Sequence, residues 1–331
     1  MCTTRGILSD TMMSRQWSVA ILLLLTELFG CRRPQKPMIA VIPETTAQEA
    51  WESAHSEASR IAATWNWDTF WNGPSREDDL QRQIQIVDEE VDRGAAGIIL
   101  APDHAVALIS PVRAAVAKNI PVAIIDNPLA AFPKEDVLFV LNDHVATGRM
   151  AANRVSRYLK GKHNEVAIIG VHPSFLGTIT IADTFKRALQ QYDPDISIVE
   201  QRTTLGFSEA ESSADELLQK KPELRAIVTL NAVQTRAVYD ALSRAKLTGK
   251  IALIGCEQDF DTIYRVRTGE IDSIIAIDTR TMVRDAMQWI HERRRGAVTS
   301  ETIIVEPRLV TKQNVDSSDM QHILAVSGEA P

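Results

Sequence analysis

Two stretches decide the fold: Ala96–Asp126, AGIILAPDHAVALISPVRAAVAKNIPVAIID, and Arg225–Glu257, RAIVTLNAVQTRAVYDALSRAKLTGKIALIGCE. Each reads as strand, polar turn, helix, a turn with a basic residue and glycine or proline, strand, and then an acid. A helix of this length between two apolar runs is the connection a parallel pair of strands requires. Finding the unit twice predicts two similar α/β lobes with mainly parallel sheets, meeting near Leu141–Val145.

The rest of the chain extends both copies. In the first, the patterns predict strand Met38–Ile42, helix Gln48–Ala63 and strand Thr64–Phe70. A helix capped by Ser75 and Asp78 follows, carrying Leu80, Ile84, Val87 and Val91 at helical spacing as far as Gly94. Strand Ala96–Leu100, helix Ala105–Lys118, strand Val122–Ile125 and strand Val137–Val140 complete it. The second series runs helix His144–Leu159, strand Glu165–Ile169, helix Ile181–Tyr192, strand Ile196–Gln201, helix Ser208–Lys220 and strand Ala226–Leu230. It continues with helix Gln234–Ala245, strand Ile251–Ile254, helix Phe260–Arg267, opened by Asp259-Phe260-Asp261, and strand Ser273–Ile277.

Upstream of Met38 the sequence has another logic. Val19–Leu25 is too short an apolar run to span a bilayer, which takes about 20 residues. With Arg15 before it and Gly30 after it, it reads as an export signal over residues 1–30. Leu28-Phe29-Gly30-Cys31 resembles the lipobox of bacterial lipoproteins, which makes Cys31 the lipidated N-terminus and residues 31–37 a linker. An ordinary secretion signal and a short uncleaved anchor are the competing readings. Translation could begin at Met1, Met12 or Met13, and with a later start Cys2 is absent. Cys256 then stands alone, excluding an intramolecular disulfide and a thiolate metal cluster.

Composition sets outer limits. The 331 residues are 45% hydrophobic and 24% charged, ordinary for a globular chain, and the net charge of −7 argues against a nucleic-acid partner. Arg293-Arg294-Arg295 closes a predicted helix, where its charge suits the dipole. His55, His163 and His291 have no metal-ligand spacing and read as surface residues. The aromatic stretch Trp65–Trp71, WNWDTFW, places Trp65, Trp67 and Trp71 on one face at strand period, which reads as packing of an outer helix on the sheet.

Ligands of open α/β sheets bind beyond the carboxyl ends of the strands. The residues there are polar: Pro43-Glu44-Thr45, Pro102-Asp103, Asp126-Asn127, Asn231 and Glu257. Singly, each suits a strand-ending turn; facing one another across two lobes, they predict a polar ligand site. Trp51, near Glu44, is placed to stack on a ligand between the lobes. The chain has no G-x-G-x-x-G after the first strand, no P-loop, no H-E-x-x-H and no G-x-S-x-G. Asp126 with Glu257 could serve as an acid/base pair, but no nucleophile accompanies them, so the chain reads as a non-enzyme without cofactor or bound metal.

Four segments, GAAGIILAPDHAVALISPVRAAVAKNIPVAIIDN, VLNDHVATGRMAANRVSRYLKGK, LRAIVTLNAVQTRAVYDALSRA and KIALIGCEQDFDTIYRVRTGEIDSIIA, resemble the periplasmic substrate-binding proteins of sugar ABC transporters, of the ribose/galactose class that also supplies the ligand domain of LacI-type repressors. The resemblance covers about Met38–Lys312. It implies two Rossmann-like lobes joined by three crossings, near Asn142, Ile277 and Val298, closing on a ligand like a hinged clamp. The lobes would comprise residues 38–142 plus 277–298 and residues 143–276 plus 299–313, followed by a tail at 314–331. Helix Arg280–Arg295 would return to the first lobe, and strand Thr302–Leu309 would pair with the second.

In the implied pocket Trp51 takes the stacking aromatic's place, Asp126 the hydroxyl-binding aspartate's, Asn231 the asparagine's, and Glu257 that of a second aspartate. Asn127 stands where an arginine is usual. His172–Lys186, HPSFLGTITIADTFK, which contains Thr178, lacks a second arginine. Ile277, beside Asp278, replaces a glutamine, and the second aromatic is Leu205 or Phe207. Glu44, Asp126, Glu257 and Asp278 would make the pocket acidic. The resemblance implies an exported, lipid-anchored, monomeric receptor that captures a sugar or polyol and delivers it to a membrane permease. A sensory receptor on the same fold is the alternative, and a carbohydrate-active enzyme a more remote one. A cytoplasmic repressor would need a DNA-binding module before Met38, where the sequence is signal-like.

Overall fold

The computed structural model describes residues 36–76, 79–133, 137–159, 165–202, 206–296, 300 and 302–324. The export signal, Cys31, Leu205, His163 and Val298 lie outside them.

Twelve strands among the described residues form two six-stranded sheets. The first has the order β11-β5-β4-β3-β1-β2, built from β1 (Met38–Ile42), β2 (Asp68–Trp71), β3 (Gly97–Leu100), β4 (Val122–Asp126), β5 (Leu138–Asn142) and β11 (Thr302–Val305). The second has the order β12-β10-β9-β8-β6-β7, from β6 (Glu165–Ile169), β7 (Ser197–Arg202), β8 (Leu224–Thr229), β9 (Ala252–Cys256), β10 (Ser273–Ala276) and β12 (Arg308–Thr311). Adding five to each strand number of β1–β5 turns the first order into the second, so the repeat seen in the sequence is a topological repeat. All pairs are parallel except β10–β12.

Each sheet is covered on both faces, which is why its strands are near-continuous apolar runs. In β3 and β4, Ile99, Ala123 and Ile125 face helices α1 (Ala50–Thr64) and α9 (Thr279–Arg294). Their neighbours Ile98, Leu100, Val122 and Ile124 face α2 (Leu80–Arg93) and α3 (Ile109–Ala117). Gly97 admits α9: a Cβ there would lie 2.4 Å from Ile290 Cγ2. The second sheet is sandwiched likewise, by α4 (His144–Tyr158) and α5 (Leu176–Tyr192) on one face and by α6 (Phe207–Lys220), α7 (Ala232–Arg244) and α8 (Phe260–Thr268) on the other. Truncating a wholly buried isoleucine such as Ile98 or Ile254 to alanine costs about 2–5 kcal/mol.

Several expectations need correction. Thr302–Leu309 is not one strand on the second sheet: Thr302–Val305 pairs with β5 of the first, and only Arg308–Thr311 joins β10. Pro307 interrupts the run, because it has no N–H to continue a ladder, and the third crossing therefore falls at Glu306-Pro307 rather than near Val298. The tail contains helix α10 (Ser318–Leu324), whose Met320, Ile323 and Leu324 join the second-sheet core.

The segment predicted as strand from Thr64 begins as a strand only at Asp68. Helix α1 runs to Thr64, and Asn66 at φ 57° reverses the chain. Trp65 and Trp67 thus belong to the turn, yet they and Trp71 still pack, partly buried, on the first-sheet core. His55 and His291 are half-buried stacking partners rather than plain surface residues, lying 4.7 Å from Trp71 and 4.2 Å from Trp65. The cap of α2 is Asp79, accepting from Arg82 N, because the helix starts at Leu80.

Candidate ligand site

The carboxyl ends of both sheets face one cleft, whose empty space, mouth included, is about 630 Å³. Its walls are the turns after β1, β4 and β5 on one side and those after β6, β8 and β9 on the other.

The two sheets contribute an acid each, at equivalent positions. Asp126 ends β4 and Glu257 follows β9, and both adopt φ 62°, left-handed backbone that costs a non-glycine residue roughly 1–2 kcal/mol. Such strain recurs at binding sites, where the surrounding structure enforces it. Asp126 is 5% exposed; its Oδ2 accepts from Asn127 Nδ2 at 2.7 Å, and its Oδ1 lies 4.0 Å from His144 Nε2. Burial raises the Asp126 carboxyl and lowers the His144 imidazole, each partly opposed by the charge of the other.

Asn231 is held by its own helix: it is the N-cap of α7, its Oδ1 accepting from Gln234 N at 2.8 Å. Thr178 lines the cleft but uses its hydroxyl locally, donating to Phe175 O at 3.0 Å and accepting from His172 N at 3.1 Å. That loop brings in the cleft's aromatic groups, His172 and Phe175, ring centroids 5.2 Å apart. Gly177 lets the lobes approach: a Cβ there would be 2.4 Å from Asn127 Oδ1 across the cleft, and 2.6 Å from His144 Nε2 on the neighbouring α4. A second bridge is Glu49, whose Oε2 accepts from Phe260 N at 2.8 Å, so an acid beside the first sheet bonds the first turn of α8 beside the second, a helix capped by its own Asp259.

Of the residues proposed from sequence, Glu44, Asp126, Asn127, Thr178, Asn231 and Glu257 line this cleft. Trp51 does not. It is 1% exposed in the core, because Trp51, Ala54, Ala58 and Ile61 form the stripe of α1 that faces the sheet. Asp103 is buried and gives its N–H to Gln83 Oε1, a glutamine that also donates to Pro43 O and Ala101 O. Gln83 thereby ties together two of the first sheet's strand ends. Phe207 opens α6 away from the cleft lining, and Asp278 is spent as the N-cap of α9, accepting from Thr281 N and Oγ1. Ile277 does line the cleft, pinned by Gln258, which both donates to its carbonyl and accepts from its N–H.

Sequence reasoning missed Gln48, Asn142, His144, His172, Phe175 and Gln234. Asn142 ends β5, His144 follows it, and His172 follows β6, so the strand-end rule that found Glu44 would have found them had it been applied to every strand. Among the described residues the lining contains no lysine or arginine, in keeping with the absence of arginine at Asn127 and in His172–Lys186. No cluster of His, Cys, Asp or Glu among the described residues could hold a metal ion.

This fold, with its cleft between two repeated sheets, is that of bilobal solute receptors, and residues 39–296 match the periplasmic binding protein domain: the chain belongs to that family. It is 27% identical over 210 residues to the D-allose-binding periplasmic protein of Escherichia coli K12, a match covering 60% of this chain and 66% of that protein, just under two thirds. It is 23% identical to the D-apiose import binding protein of Paraburkholderia graminis, covering 86% and 90%. A carbohydrate transporter solute binding protein from Agrobacterium radiobacter, solved with D-arabinose, superposes with a TM-score of 0.82 at 20% identity, covering 88% of this chain and all of that one.

Proposed function

We propose that this protein is an exported receptor that captures a small polyhydroxylated solute, a sugar or sugar-like polyol, between its lobes and delivers it to a membrane ABC permease, tethered through a lipid on Cys31. The observation that carries this reading is the pair Asp126 and Glu257. Two acids at equivalent strand ends are held in the same unfavourable backbone conformation and face one cleft, with Asn127 and Asn231 beside them. Carboxylates and amides bind adjacent hydroxyls, whereas catalysis would also require a nucleophile or an activated water. The allose- and apiose-binding relatives and the arabinose complex support the same ligand class. Affinity would arise from hydrogen bonds made as the closing lobes exclude water.

The test is a thermal-shift screen of the full-length protein, in mild detergent, against pentoses, hexoses, inositols and polyols. A ligand at 100 times its Kd adds about 2.7 kcal/mol. The expected result is a hit that disappears in Asp126→Ala and in Asn231→Ala. A screen in which no sugar or polyol raises the melting temperature would overturn the reading.

A further inference from the structure

The geometry points to an amino sugar, or another polyol carrying a protonated amine, as the preferred ligand of this cleft, over its neutral parent. This inference rests on the sugar-receptor reading above and narrows it.

Charge is the first ground. Glu44, Asp126 and Glu257 line the cleft, and no lysine or arginine accompanies them among the described residues. His144, the imidazole nearest Asp126, is held toward its neutral form by burial and so adds little positive charge at neutral pH.

The second ground is the balance of hydrogen-bonding groups. Asn142 lines the cleft at 7% exposure, and its Oδ1 is buried without a hydrogen-bond partner. Asn127 Oδ1 is likewise buried and unbonded. Both are acceptors. Two of the donors nearby are committed: Asn127 Nδ2 serves Asp126, and the Thr178 hydroxyl serves Phe175 O. A sugar hydroxyl brings one donor and two lone pairs, and burying those lone pairs requires donors from the wall. An ammonium group brings three donors and no lone pair. Two buried, unbonded acceptors beside a set of carboxylates therefore suit the ammonium better. A cation bound there would also ease ionisation of Asp126, which burial alone disfavours.

The experiment is calorimetric titration of the full-length protein with matched sets: D-glucosamine, D-galactosamine and D-mannosamine, each against its parent hexose, its N-acetyl derivative and the corresponding uronate, at a pH that keeps the amine protonated. One amino sugar should bind at least tenfold tighter than its parent, a difference of about 1.4 kcal/mol. N-acetylation, which removes the charge, should abolish that preference, and the uronate should bind weakest. Glu257→Gln and Asp126→Asn, which preserve shape and remove charge, should bring amino sugar and parent closer together. The acetylated control needs no variant, so a variant that fails to fold leaves the test intact. A parent hexose or N-acetyl derivative binding as tightly as the amine would overturn this inference and leave the receptor reading standing. Binding by no member of the panel, with no hit in the wider screen, would overturn both.

Discussion

Gly177→Ala should weaken ligand binding while leaving the unliganded fold largely intact. The added methyl would sit 2.4 Å from Asn127 Oδ1 and 2.6 Å from His144 Nε2, each well inside the 3.4 Å at which ordinary contact begins. Side-chain tips usually yield at little cost, but these two are tethered. Asn127 is bonded to Asp126 at 2.7 Å, and His144 is packed beside the same carboxylate. Relief therefore requires His144 to shift on the neighbouring α4 and Asn127 either to break its bond to Asp126 or to draw away with its lobe by about 1 Å, and each loss falls on the ligand site. Overpacking of this kind costs about 1–3 kcal/mol, which corresponds to roughly 5- to 150-fold in Kd. Calorimetric titration with the best ligand from the screen measures it, and chemical denaturation without ligand is the control. A Kd unchanged within twofold in a folded variant would refute the reasoning, because the close approach at Gly177 would then play no part in the bound state.

Other expectations concern what holds the site. Gln83→Met should lower stability by about 3 kcal/mol in denaturant titration, since Pro43 O, Ala101 O and Asp103 N lose their buried partner at about 1 kcal/mol each; a loss under 1 kcal/mol would mean that water or a backbone shift replaces it. Glu49→Ala removes the acceptor that the first turn of α8 receives across the cleft, worth about 0.3–1 kcal/mol at an exposed helix terminus, so Kd should rise about two- to fivefold with little change in unliganded stability. Glu57 is held below the usual carboxylate range first by its hydrogen bonds from Arg60, then by charge and a further bond from Arg284 on α9. A lowered folded-state pKa stabilises above 4.5 and is lost as the pH falls through the folded value, so Glu57→Gln should be less stable than the parent at neutral pH and match it in acid. A pH-independent gap between the two would count against that linkage.

The sheets were legible because buried parallel strands are short apolar runs, and β6 begins and ends where its pattern does. What pattern could not show was where a run is cut by geometry. Nothing in the apolar content of Thr302–Leu309 separates its halves; Pro307 was the sole signal, and it sends them to different sheets. Helix α5 starts at Leu176, ahead of the predicted Ile181: Gly177 and Thr178 are weak helix formers, which hid the first turn, and the Thr178 hydroxyl ties that turn to the His172 loop. At the site, the residues read from the strand ends at Glu44, Asp126, Asn231 and Glu257 line the cleft, whereas Asp103 is instead tied to Gln83. Trp51 was misread because proximity to Glu44 in sequence outweighed a helical stripe that was already present at Ala54, Ala58 and Ile61. Asp278 illustrates the opposite difficulty: a cap and a ligand-binding acid have the same residue type and the same position, and only the bonds to Thr281 distinguish them.

The third crossing at Glu306-Pro307 also bears on the order of assembly. Strand β11 aligns Thr302 with Phe139, and β12 aligns Thr311 with Ser273, so each sheet receives its edge strand from the last segment of the described chain. Neither lobe can be completed during synthesis until nearly the whole polypeptide has emerged, and closing so long a loop slows the final step. For a member of a periplasmic family that delay is useful: a chain whose halves lock only at the end stays threadable for longer, and the step that finishes the receptor can wait for the far side of the membrane.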